Sequence, residues 1–285
     1  MDYQIIQDIE AVIELRDLTM DEFAKEIGVS RMTVNNWLSG KKEISEKNCM
    51  EFYEYAFRKG IRLNKIKEQL YTEEITNKSQ VLLFHGAKTQ IEGSLRLDCG
   101  RSKNDFGSGF YCGESLEQSA MFVATFPNSS LYMLKFDCTN LKGKEYTVSR
   151  EWMLMIAYFR DRLGEYANAG IIKQLIEEQQ GVDYIVAPIA DNRMFEIIDQ
   201  FIDGEITDEQ CQHCLSATNL GKQYVFVSQR ALNQIELLER CYLANGEKEF
   251  YLTSRQESYD VSRDKVKLAR KQYRDCGKYI EDLLK

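Results

Sequence analysis

Four short stretches carry side chains able to do chemistry. His85, one of two histidines in 285 residues, directly follows the apolar run 81–84 and is followed by Gly86. A histidine there can hold a hydrogen bond or move a proton, but a lone one at a strand end is usually structural. Asp105-Phe-Gly-Ser-Gly-Phe-Tyr111 is a glycine-rich turn entering a second apolar run, and glycines so placed let backbone come close to a ligand. It is no phosphate loop, because no Lys-Ser/Thr follows and the glycines precede a strand instead of opening a helix. Ser119, Ala120 and Phe122 follow on a helix. Gln223-Tyr-Val-Phe-Val227 sets an amide at the head of a strand; an amide donates and accepts hydrogen bonds but takes no proton at neutral pH. Asp105 and Asp191 beside these motifs read as turn residues that hydrogen-bond locally. Cys211-x-x-Cys214 brackets His213, yet zinc needs four ligands and no second pair stands at metal spacing. That segment reads as a helix opened by Thr207 with Gln210, with incidental thiols and no metal.

Positioning these groups takes strands. Apolar runs at 81–84, 110–112, 130–136, 184–188 and 224–227 alternate with helical patterns at 115–125, 152–163, 195–201 and 208–215. The mixture predicts an α+β domain over residues 81–245. Before it, residues 1–72 read as helices only, with 73–80 a polar linker; after it, 246–285 form a helical extension. In that extension 261–284 read as one amphipathic helix, and 261–285 carry eight basic and four acidic residues, which suits a solvated face.

In order and spacing, three elements resemble the ADP-ribosyltransferase superfamily, in the branch of diphtheria toxin and the poly(ADP-ribose) polymerases: His85-Gly86; Gly109-Phe110-Tyr111 with Ser119-Ala120-x-Phe122; and Gln223-Tyr-Val-Phe-Val. Phe84-His-Gly, Asp105-Phe-Gly-x-Gly-Phe-Tyr, Pro188-Ile-Ala-Asp191 and Gln223-x-x-Phe226 look closer still to a bacterial domain family of unknown function within it, over roughly residues 80–240. The resemblance implies a split β-sheet and NAD as co-substrate. It implies that Gly86 and Ser119 hold the nicotinamide carboxamide, that Tyr111 and Phe122 sandwich the ring, and that His85 bonds the adenosine ribose. Gln223 stands where the branch usually has Glu, which implies single transfer without chain elongation, to an unknown acceptor. His85, Tyr111 and Gln223 are the catalytic candidates. A sensor that binds NAD without turnover, and an NAD glycohydrolase, are the alternatives.

At the N-terminus, Thr19 with Glu22 forms a capping box, Gly28 breaks the helix it opens, and Ser30 caps the next, closed by Gly40. Val34, Trp37 and Leu38 share one face of that second helix; Met32, Asn35 and Asn36 lie on the other. The segment resembles the Cro/repressor-type helix-turn-helix, implying DNA contacts by Arg31, Met32, Asn35, Asn36, Lys41 and Lys42. A second basic group, Arg58, Lys59, Arg62, Lys65 and Lys67, is a further candidate for phosphates. Residues 1–78 nevertheless hold twelve basic against fifteen acidic side chains and the chain carries −8. That balance excludes non-specific nucleic-acid binding as its main task and leaves partner docking level with DNA binding. A helix-turn-helix fused to such a transferase looks like a toxin, a toxin-antitoxin component or a defence effector. A 44% hydrophobic content excludes disorder. The start lacks a signal-peptide pattern and no run is long enough to span a membrane, so the cytoplasm, reduced cysteines and no membrane partner are expected.

Overall fold

The computed structural model describes residues 3–98, 100–218 and 221–284; Cys99 of the cysteine set and Lys285 of the basic C-terminal stretch lie outside them. Five helices come first: α1 (Ile5–Leu15), α2 (Met20–Glu26), α3 (Arg31–Leu38), α4 (Glu46–Arg58) and α5 (Leu63–Glu74). Their starts follow from local chemistry. Thr19 and Glu22 make the reciprocal capping box, and Ser30 and Ser45 accept the N–H three residues on. Gly28 takes a left-handed φ of 76°, which turns the chain between α2 and α3 at no Cβ cost. Ile9, Val12, Phe23, Val34, Trp37 and Phe52 close the bundle core.

A mixed seven-stranded sheet with helices follows, the α+β architecture expected. Its strands are β1 (Gln80–Ala87), β2 (Phe110–Gly113), β3 (Ser130–Asp137), β4 (Gly143–Glu145), β5 (Tyr184–Pro188), β6 (Lys222–Phe226) and β7 (Ile235–Cys241). The order is β4-β5-β6-β2-β1-β3-β7, antiparallel except for β4 on β5. β1 and β3 pair along eight residues, whereas the described register of β1 with β2 is the single pair Phe84–Gly113. The two halves of the sheet therefore part at that seam. One face of the β4–β2 half packs under α7 (Arg150–Phe159), α8 (Gly170–Glu178), α9 (Asn192–Ile202) and α10 (Asp208–Ser216). On the same face α6 (Leu116–Val123) covers Phe84, Leu131 and Met133. The opposite face buries Leu83, Phe110, Tyr132, Phe136 and Phe226, closed in part by α11 (Gln229–Leu232).

The C-terminal expectation needs correction. Instead of one helix over 261–284, α12 runs Asn245–Gln272 and α13 Ile280–Leu284. Asp275 (φ 63°) and Gly277 (φ 86°) turn the chain between them. α12 touches α4 and α6 near its start and α10 near its end. Among the described residues no helix is long and apolar enough to cross a membrane.

The bundle and the sheet are tied together. Tyr242 stacks on Tyr53 at 4.3 Å, and Ala244 belongs to the bundle core. Lys67 reaches Asp8 of α1 at 2.5 Å and Glu239 of β7. Asn64 donates to the Tyr242 carbonyl at 2.9 Å and to Glu247 at 3.2 Å. Four of the five residues of the second basic group are engaged within the protein, and Arg58 is exposed. Lys67 is spent in the junction, Lys65 on Glu68 and Glu117, and Lys59 on Glu26, while Arg62 lies over the Phe57 ring.

Candidate active site

Alternation along the strands decides which side chains meet. Phe84, Gly113 and Gln223 form one cross-strand row, and Tyr111 pairs with Val225, two residues along. Residues i and j±2 on an antiparallel pair share a face and stand about 7–8 Å apart or less, so Tyr111 and Gln223 are diagonal neighbours. α6 crosses the same face. A Cβ at Gly86 would come within 2.6 Å of Val123 Cγ1, 3.1 Å of the Ser119 carbonyl and 3.2 Å of Phe122 Cδ1, so only glycine lets the helix lie this close to β1. Gly86, Tyr111, Ser119, Phe122 and Gln223 are thereby gathered around the seam. Phe122 is 50% exposed there, a flat apolar surface left open beside Gly86, with Phe126 edge-on at 5.8 Å.

His85 lies within β1, not at its end as the sequence suggested, and its ring sits on the other face, stacked on Phe110 at 4.3 Å. Its Nδ1 is 2.6 Å from the Tyr111 carbonyl. A carbonyl only accepts, so Nδ1 carries the proton and the bond ties β1 to β2 where their ladder stops. Burial pulls the imidazole pKa down against that bond, leaving a neutral ring whose Nε2 accepts, a fit for a ligand hydroxyl.

The remaining groups are engaged within the protein. The Tyr111 hydroxyl donates to the Gly107 carbonyl at 2.8 Å and accepts the Phe106 N–H at 3.1 Å, pinning the glycine-rich turn over the site; burial raises its pKa. Ser119 Oγ donates to the Phe84 carbonyl at 3.2 Å, so its lone pairs remain for a donor such as a carboxamide. Gln223, 8% exposed, donates from Nε2 to Asp105 Oδ2 at 2.7 Å and to the Pro188 carbonyl at 3.1 Å. Asp105, 5% exposed, is gripped by Arg160 through Nε at 3.0 Å and Nη2 at 2.5 Å and by the Ala190 N–H at 3.3 Å. Sequence reasoning treated Asp105 as a turn residue and passed over Arg160. The local sequence Phe159-Arg-Asp-Arg162 sets an arginine on each side of an aspartate, so no local signal singled out Arg160. Asp191 does act locally, capping α9 through the N–H groups of Arg193 and Met194.

Two surface hollows occur besides these groups, the first lined from both halves of the sheet, β1 and β3 on one side and β5 and β6 on the other. This first one, of about 280 Å³, is lined by Lys78, Val81, Tyr184, Lys222 and Tyr224 among others, the other by Tyr158, Phe159 and Gly164. Cys211 and Cys214 point into the core toward the Ile197 and Val266 carbonyls, and His213 stacks on Tyr273 at 3.5 Å. No group of three or more metal-ligating side chains occurs among the described residues. On α3, Arg31, Met32 and Asn35 are exposed and Asn36 half-buried, with Lys41 and Lys42 exposed just beyond. Arg31 is paired with Asp21 at 3.0 Å across solvent.

A model of the family described as "Protein of unknown function (DUF3990)" matches residues 81–237, and one described as "Helix-turn-helix" matches residues 9–52. No curated protein and no solved structure matches the chain.

Proposed function

The chain belongs to the DUF3990 family, and from that premise we propose that its sheet domain is an NAD-dependent mono-ADP-ribosyltransferase, a glycosyltransferase of the toxin or defence-effector kind. The observation that carries the reading is the row Phe84–Gly113–Gln223 with Tyr111 diagonal to Gln223 and Gly86, Ser119 and Phe122 at the same seam. Bound NAD supplies a glycosidic bond whose electron pair leaves with nicotinamide, while the acceptor's oxygen or nitrogen bonds to ribose C1 and its proton passes to water. The protein's part is to hold and orient. Gly86 offers backbone groups and Ser119 lone pairs to a carboxamide. Phe122 and Tyr111 offer ring faces to a flat cation. His85, whose ring lies on the opposite face against Phe110, meets a ribose hydroxyl with Nε2 only where the ligand passes through the seam. Gln223, without charge, orients the ribose and abstracts no proton, which favours one transfer over chain growth and leaves the nucleophile to the acceptor. The exposed side chains Arg31, Met32 and Asn35, with Asn36, Lys41 and Lys42, make α3 the element that meets DNA.

Incubation with labelled NAD and cell extract, followed by mass spectrometry, tests the activity. One ADP-ribose unit on protein, nucleic acid or a small molecule is expected, lost in Tyr111→Ala and His85→Ala. Free ADP-ribose alone identifies a glycohydrolase. The second reading, a transcriptional regulator that senses NAD without turnover, draws on the junction, because Tyr242 and Ala244 at the end of β7 complete the bundle core. Tight NAD binding with neither product, together with NAD-dependent binding to its promoter DNA, would replace the transferase reading.

A further inference from the structure

Asp105 is the buried carboxylate that touches Gln223. A glutamine amide can turn over with little change of shape, so its orientation is set by what its neighbours donate and accept. Asp105 Oδ2 and the Pro188 carbonyl are both acceptors, at 2.7 and 3.1 Å, and both therefore face Nε2. The amide oxygen is turned away from them. Asp105 cannot swing aside, because Arg160 holds Oδ1 through two nitrogens while the Ala190 N–H holds Oδ2. Arg160 is fixed in turn by the Ala190 carbonyl at 2.9 Å and by the Phe195 ring, 4.1 Å from its guanidinium carbon.

We propose that Asp105 is the positioning residue for Gln223, and that the two together replace the single carboxylate such a site would use, the amide oxygen facing the ribose and the charge standing behind it. The role rests on the transferase reading above. A carboxylate that accepts the amide N–H polarises the amide and enriches its oxygen, and the effect is larger where water is excluded. The same geometry explains why the residue is Gln. A glutamate at 223 would set its oxygens about 2.7 Å from Asp105, and two carboxylates that close share one proton instead of both ionising. Among the described residues, Arg160 and the Tyr111 hydroxyl are ionisable groups that face the pair; Arg160 already neutralises Asp105 and has no second charge for position 223.

The test moves the charge. Gln223→Glu should unfold at a lower temperature than the parent at pH 8, with much of the difference gone at pH 5. In Asp105→Asn/Gln223→Glu, which restores one acid and one amide in exchanged places, that pH-dependent difference should disappear. In NAD cleavage, Asp105→Asn should lose about tenfold or more in kcat with KM little changed, since a neutral pair no longer fixes the amide, and the exchanged double variant should regain most of the loss. If Gln223→Glu follows the parent's melting temperature across pH 5–8, the two side chains are not in contact and the proposal falls. If the stability coupling appears but the parent cleaves no NAD, the positioning role falls with the transferase reading, and the pair is a structural contact.

Discussion

Buried charge is handled in opposite ways at the junction and at the candidate site. At the junction, Asp8 and Glu239 are each 1% exposed and share the single ammonium of Lys67, with the Tyr53 hydroxyl on Asp8 and the Tyr71 hydroxyl on Glu239. The acids come from different bodies, one from the bundle and one from the sheet. At the site, one carboxylate meets one guanidinium, one amide and one backbone N–H. A lysine is a point charge that can be approached from several directions; an arginine is a planar fork that fixes one partner's orientation. The difference in residue type separates two jobs, fastening two bodies together and holding a single side chain in register.

The largest effect should come from Lys67→Met, which leaves two carboxylates buried without a cation. A loss of about 3–5 kcal/mol is expected, read by urea unfolding, and a value near zero would show the junction to be hydrated and the contrast empty. Glu247, beside Asn64 in the same junction, comes next. Burial lifts its pKa to about 7, so the folded state holds a proton that the unfolded chain gives up near the ordinary carboxylate value. That contribution to stability is complete below about pH 4.5 and is lost as pH rises to about 7, a swing of about 3 kcal/mol. Thermal unfolding between pH 4.5 and 8 should therefore be flatter for Glu247→Gln than for the parent, with the variant the more stable above pH 7.

The same contrast explains what could be read from the sequence. The helix-turn-helix was legible because its determinants are local: Thr19 and Glu22 bond each other, Ser30 bonds the N–H of Thr33, and Gly28 turns the chain. The strands bearing His85, Tyr111 and Gln223 were legible as apolar runs. β7 was not, because Ile-Glu-Leu-Leu-Glu-Arg-Cys carries charges on an edge strand, and β4 is only three residues long. The start of α12 was hidden because most of 252–265 faces solvent and has no apolar period to show. The partners Lys67–Glu239 and Arg160–Asp105 were out of reach, since 172 and 55 residues separate them and no local rule pairs them.

Arg160→Met sharpens the comparison from the other side. It leaves one buried carboxylate without its cation instead of two, with the Gln223 and Ala190 donors still on it, so a loss of about 3 kcal/mol, the low end for breaking a buried pair, is expected. A loss equal to that of Lys67→Met would mean that the fork does more than orient. The smallest effect belongs to Arg31, whose pairing with Asp21 lies in solvent on both sides. Exposed ion pairs contribute about 0–1 kcal/mol, so Arg31→Ala should leave the urea midpoint nearly unchanged. Its consequence should appear in DNA binding alone. In gel shifts over a series of salt concentrations, the slope of log affinity against log salt should fall by about 1 if Arg31 leaves Asp21 for a phosphate. An unchanged slope with unchanged affinity would mean that Asp21 keeps its arginine and that α3 presents only Met32 and the two asparagines to whatever it meets.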